Sequence, residues 1–196
     1  ERGIPYQVKN PKGLISLDEI KDLIAVVRLV ANPGDDVSLL RILKMDVFDI
    51  QMSEILEHLG KHKSQLFRYL EKTEKSLPGL EDGLSKVHEL FTHLIKFSKK
   101  HPVGLVINEF LNGSGYLRYL TEKEHFEVLD NINEFARQVS KFERENEDSS
   151  VLDFVNYLNL LEEANAVFSV DSFSDRDCVQ ILTAHGSKGL EFDYVF

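Results

Sequence analysis

Between Val179 and Phe196 the sequence reads Val-Gln-Ile-Leu-Thr-Ala-His-Gly-Ser-Lys-Gly-Leu-Glu-Phe-Asp-Tyr-Val-Phe, a β-rich run that breaks into a polar turn and returns to apolar residues. Val179, Ile181 and Leu182 suit a buried strand. Thr183, His185 and Ser187 then supply small hydrogen-bond donors, and Lys188 a cation, at that strand's carboxyl end, where α/β sheets place ligand chemistry. Gly189 lets backbone approach closely, and Glu191 brings an acceptor that either takes a hydroxyl or holds the turn. The chemistry on offer is hydrogen bonding and charge, and no catalytic residue is assigned.

Other candidate sites are weaker. His58 and His62 have the spacing of a metal pair on a helix, but Gly60 lies between them and no carboxylate or cysteine completes a set, so they read as solvated helix-face histidines and no metal is expected. Cys178 is the single cysteine, which excludes an internal disulfide and suits a small buried residue. Asn112-Gly113-Ser114-Gly115 is too short for a phosphate loop and reads as a helix stop. Lys86, Lys96, Lys99 and Lys100 share a segment with Phe91 and Phe97, a mixture that can mark a nucleic-acid surface. The phenylalanines fall on the apolar stripe and so read as core, leaving Lys96, Lys99 and Lys100 as candidates for weak phosphate contact.

The chain has 196 residues, 42% of them hydrophobic, enough for one sizeable domain or for a domain carrying pieces of a neighbour. A net charge of −10 disfavours a broad footprint on a polyanion, so any nucleic-acid contact is expected to be local. No apolar run reaches the roughly 18 residues that span a bilayer and no leader precedes the first element, so a cytoplasmic protein with no membrane partner is expected.

These residues need elements to hold them. Ile4, Tyr6 and Val8 alternate as in a short strand. Starting within an element and without methionine suggests a fragment of something longer. Ser16 to Glu19 reads as a capping box, and Leu17, Ile20, Leu23, Ile24, Val27 and Val30 continue at helical spacing until Asn32-Pro33-Gly34. Further helices are expected from Val37 to Leu43, within 53 to 75 on either side of Gly60, from Leu80 to His101, from Val103 to Leu111, and from Thr121 to about Asn146 behind a second capping box. Phe126, Leu129, Ile132, Phe135, Ala136, Val139 and Phe142 form the inward face of that last helix. Ser149 or Ser150 caps another, with Leu152, Val155, Leu158 and Leu161 inward, and 163 to 177 form a polar return linker. A mainly α-helical body with strand character at both ends follows.

Thr183, His185, Lys188, Gly189, Leu190, Glu191 and Phe192 in this order and spacing resemble motif V of superfamily 1 DNA helicases of the UvrD/Rep/PcrA type. Gly3-Ile4-Pro5-Tyr6, Glu19 to Leu23, the passage from Asp35-Asp36 to Leu40-Arg41, Gly115-Tyr116-Leu117 and Asn131 to Phe135 are similar to the same family, so the resemblance reaches both ends. It implies that 1–15 and 171–196 are pieces of an incomplete RecA-like α/β domain, 2A, and that 16–170 form the helical 2B insertion. Motif V couples the nucleotide cleft to the DNA track in this family. The resemblance therefore implies DNA contact by Thr183, His185 and Lys188 and nucleotide proximity for Gly189 and Glu191, with single-stranded DNA, the remaining helicase domains and proteins docking on 2B as partners.

Two departures stand beside this. The family's Gly-Ile-Gly hairpin corresponds to Met45-Asp46-Val47-Phe48-Asp49-Ile50, which lacks the glycines and adds two carboxylates that repel phosphate. The Gly-x-x-x-x-Gly-Lys-Ser/Thr loop is also missing, so ATP and magnesium are expected in a full-length parent and no cofactor in this fragment. An acidic helical interaction module, and the equivalent part of a RecB/AddA-type helicase-nuclease subunit, are the alternative readings.

Overall fold

Apolar residues three and four apart collect on one stripe of a helix, and the run from Leu17 to Val30 has this spacing. A computed structural model describes residues 6–8, 13–50, 52, 55, 66–73, 81–164, 179–181, 187, 189 and 191–195. Its helices are α1 (Asp18–Ala31), α2 (Asp36–Leu43), α3 (Leu66–Thr73), α4 (Glu81–Phe97), α5 (Val103–Gly113), α6 (Tyr116–Glu122), α7 (Phe126–Glu145) and α8 (Val151–Glu163). Its strands are β1 (Tyr6–Val8) and β2 (Val179–Ile181). The chain is therefore mainly α, as its periodicities imply.

Helix α1 is the hub. Ile20, Leu23, Val26, Val27 and Leu29 are fully buried, so α1 is covered on more than its predicted stripe. It packs against α2, α4, α5, α7 and α8. Each such aliphatic side chain contributes about 1.5 to 3 kcal/mol on burial. Phe91 of α4 and Phe110 of α5 meet with ring centroids 6.0 Å apart, and Phe154 of α8 packs edge-on to Phe135 and Phe142 of α7.

The helix starts separate what spacing shows from what geometry decides. Ser150, one of the two expected caps, closes a full capping box: its hydroxyl accepts from the Asp153 amide at 3.2 Å, and Asp153 Oδ2 accepts from the Ser150 amide at 2.8 Å. The box at Ser16 does not form. A 3-10 turn over Leu14–Ser16 makes Leu17 the N-cap of α1, and the Ser16 hydroxyl turns back to donate to the Gly13 carbonyl at 2.8 Å. Thr121 is likewise no cap: it lies inside α6 and its hydroxyl donates to the Leu117 carbonyl, while α7 begins at Phe126 behind His125. Phe126, expected to face inward, is 62% exposed at this start, and Ala136 also faces solvent. On α8 the inward residues are Val151, Phe154 and Leu158, with Leu152 at the surface. The expected helix interruption at Gly60 lies outside the described residues, as does 77–79, where Leu-Pro-Gly reads as a loop in the sequence.

β1 and β2 pair in parallel, with Tyr6 opposite Val179, Gln7 opposite Gln180 and Val8 opposite Ile181. The chain thus leaves one strand, builds its helices and returns beside its own beginning.

Candidate nucleic-acid interface

Val179 and Ile181 stand two apart on β2 and so project to one side of the strand. They are 50% and 48% exposed, which corrects the expectation of a buried strand. A single pair of strands offers no second layer, and among the described residues nothing covers that side. Beyond β2, Ser187 is half-buried, and Gly189 adopts φ +82, a conformation that L side chains rarely take. Among the described residues no atom lies within 4 Å of where a Cβ on Gly189 would sit, so with respect to them the turn there is open. Glu191 is exposed, as are Phe192, Tyr194 and Val195. Thr183, His185 and Lys188, with His58, His62 and Cys178, lie outside the described residues.

The segment standing at the Gly-Ile-Gly position is a 3-10 turn over Asp46–Phe48, with Asp49 at φ 49. Phe48 is buried, while Asp46 and Asp49 face solvent. The Tyr119 hydroxyl donates to Asp46 Oδ2 at 3.3 Å. Gly83 of α4 lies against this turn: a Cβ there would come within 2.8 Å of the Phe48 carbonyl oxygen and of Ile50 Cγ1. The turn is therefore a packed, acid-tipped element.

The junction of α1 and α2 holds a charge cluster built on Asp18 and Asp22, four apart on α1. Arg41 Nε lies 2.6 Å from Asp22 Oδ1, and Arg41 Nη2 donates to the Asp18 carbonyl at 2.9 Å and lies 3.3 Å from Asp18 Oδ1. Burial pushes the Asp22 carboxyl above its ordinary range, and Arg41 opposes that rise. Burial, with Asp22 and Glu19 nearby, also pushes the Tyr116 phenol up to about 12. Glu134 is buried yet satisfied within its own helix by Arg137 at 2.7 Å and Gln138 at 3.0 Å. Of these groups, Arg41 with Asp18 and Asp22 ties α1 to α2. Among the described residues no set of three metal-ligating side chains gathers, and no helix is long and apolar enough to cross a membrane.

The chain belongs to the UvrD-like helicase C-terminal domain family, whose family model matches residues 1–196. It is similar to the ATP-dependent DNA helicase PcrA of Staphylococcus epidermidis, with 27% identity over 203 residues covering 98% of this chain and 27% of that protein. PcrA of Staphylococcus aureus strain Mu50 is 28% identical over 203 residues, with the same coverage. The chain thus spans about a quarter of the length of the curated relatives it matches.

Proposed function

We propose that this chain is the regulatory, DNA-proximal part of an ATP-dependent 3′-to-5′ DNA helicase of repair or recombination, and that its motif V couples nucleotide state to the grip on single-stranded DNA. The observation that carries the reading is the family match over the whole chain, with Thr183, His185, Lys188, Gly189 and Glu191 spaced as motif V just beyond β2. Residues 1–15 and 171–196 belong to a RecA-like 2A domain and 16–170 to the inserted 2B domain. The parallel pairing of β1 with β2 supports this division, as do the uncovered Val179 and Ile181, which suit a strand of a larger sheet.

Thr183 and His185 donate to a backbone phosphate, and Lys188 adds charge. Gly189 and Glu191 stand next to the nucleotide, and the open turn at Gly189 and the exposed Glu191 carboxylate suit residues that meet a neighbouring surface. ATP with magnesium supplies the phosphoryl chemistry. This chain's part is to bind and to sense, since its sequence holds no Gly-x-x-x-x-Gly-Lys-Ser/Thr loop.

The test is Thr183→Ala, His185→Ala and Glu191→Ala in the full-length protein, read by unwinding and by DNA-stimulated ATP hydrolysis. Loss of one hydrogen bond to a charged group costs roughly 1.5 to 3 kcal/mol, or about ten- to a hundred-fold in the affected step. The Thr183 and His185 variants should lose DNA stimulation, and the Glu191 variant should change apparent nucleotide affinity. The acidic interaction module is favoured by one observation, the exposed Asp46 and Asp49 at the hairpin position. Unwinding at the parental rate by all three variants would make that the leading reading.

A further inference from the structure

Asn112-Gly113, at the end of α5, is the single Asn-Gly pair in the chain. An asparagine carries its own leaving group: the backbone nitrogen of the next residue can attack the side-chain carbonyl and close a succinimide ring. A side chain on that next residue crowds the ring, and glycine has none. Both residues are exposed. They follow Phe110 and Leu111, the last buried residues of α5. The chain then passes through Ser114 and Gly115, the latter at φ +76, before α6 begins at Tyr116.

The folded geometry holds the pair short of reaction. Asn112 Nδ2 donates to the Asn108 carbonyl at 2.8 Å and to Asn108 Oδ1 at 3.2 Å, so the side chain is tied back along the helix. Helical hydrogen bonding turns the Gly113 N–H toward residue 109 as well. The turn beyond is closed by the Ser114 N–H to the Phe110 carbonyl at 2.9 Å, the Gly115 N–H to the Asn112 carbonyl at 3.1 Å and the Tyr116 N–H to Ser114 Oγ at 3.2 Å. Helix ends open at far lower free energy than a core, and two glycines within 112–115 add backbone freedom. Opening this one turn frees both reacting atoms while Leu111 and Tyr116 stay buried.

We propose that Asn112 is a site of self-modification, reached through opening of the last turn of α5. In the open turn the Gly113 nitrogen gives its proton to solvent base and attacks Asn112 Cγ. The Cγ–Nδ2 bond breaks, and ammonia leaves after taking up a proton. Water then adds to one carbonyl of the succinimide and reopens it, giving aspartate or, with the backbone rerouted through the side-chain carbon, isoaspartate. Water is the one reagent consumed. Either product places a carboxylate at the C-terminal end of α5, where the helix dipole disfavours it, and removes the donor to the Asn108 carbonyl. The corner that carries the buried Tyr116 therefore weakens as the molecule ages. This chemistry is independent of the helicase reading.

The experiment incubates the purified 196-residue chain in mildly alkaline buffer and follows residue 112 by peptide-mapping mass spectrometry, which detects the amide replaced by an acid. Isoaspartate is scored by enzymatic carboxyl methylation. The parent is compared with Gly113→Ala, each both folded and in urea. Gly113→Ala, whose added Cβ meets the movable end of Leu90, should slow conversion by about threefold or more in both conditions. Urea should speed the parent, because it opens the turn. Equal rates in the parent and Gly113→Ala would overturn the proposal. So would conversion at Asn112 no faster than at the exposed Asn108 and Asn133, each followed by glutamate, or a parental rate that urea leaves unchanged. An Asn112→Asp variant, which fixes one product, should have a lower urea midpoint than the parent, and an equal midpoint would overturn the weakening of the corner.

Discussion

Tyr116 joins burial to charge at one atom. Its phenol sits near Asp22 and Glu19 and is pushed up to about 12. Between its ordinary pKa of 10.0 and that value the folded state keeps a proton that the unfolded chain releases, so stability is intact below pH 10 and is lost as pH rises toward 12. Tyr116→Phe should remove this loss: in denaturant melts across that range the parent should fall by about 2 to 3 kcal/mol relative to the variant. Both should respond alike between pH 7 and pH 9. At this scale the sequence was legible where a pattern has one geometry. Ser150 was legible as a cap, and with Asp153 it closes a full box. Ser16 and Thr121 carry the same signature but sit within turns already closed by Leu14–Ser16 and Tyr116–Glu122, so their hydroxyls serve carbonyls behind them. Nor could spacing reveal the partners of Arg41, since it is the angle between α1 and α2 that delivers them.

Among the elements, α4 is held by two glycine contacts of opposite kind. At Gly83 an added Cβ would meet a backbone oxygen, which cannot move aside, whereas at Gly113 of α5 it would meet only Leu90 Cδ1 at 2.9 Å, the end of a flexible side chain. Gly83→Ala should therefore destabilise by about 1 to 2 kcal/mol, overpacking outweighing the helix propensity gained, while Gly113→Ala should be neutral or mildly stabilising. Urea midpoints of the two variants decide this. Most of the described helices were legible because their apolar spacing is regular, α6 being the exception, and α7 ends at Glu145, next to the expected Asn146. Which faces they bury was less so. Val37 and Phe126 fall at apolar positions of their helices yet lie 79% and 62% exposed, because burial depends on where the neighbouring helix lies.

For the whole molecule, the division of labour proposed here predicts that the purified chain shows no DNA-stimulated ATP hydrolysis, since the phosphate-cradling loop is not in its sequence. Turnover that survived repurification would contradict it. Strand character near both ends could be read from Tyr6, Val8, Val179 and Ile181, but their pairing and its parallel sense belong to the folded helices that bring them together. That pairing also constrains the order of folding. Joining the two strands across a flexible chain of this length costs roughly 4 to 5 kcal/mol in closure entropy. A ladder of three residues returns about 1 kcal/mol per hydrogen bond, so the strands can meet only after the helices have shortened the path between them. On a ribosome adding roughly 5 to 20 residues per second, β1 then waits on the order of ten seconds for its partner to be made. Through that interval its bare edge is open to any other strand, so the time taken to synthesise the intervening helices sets how long the nascent chain remains vulnerable to mispairing.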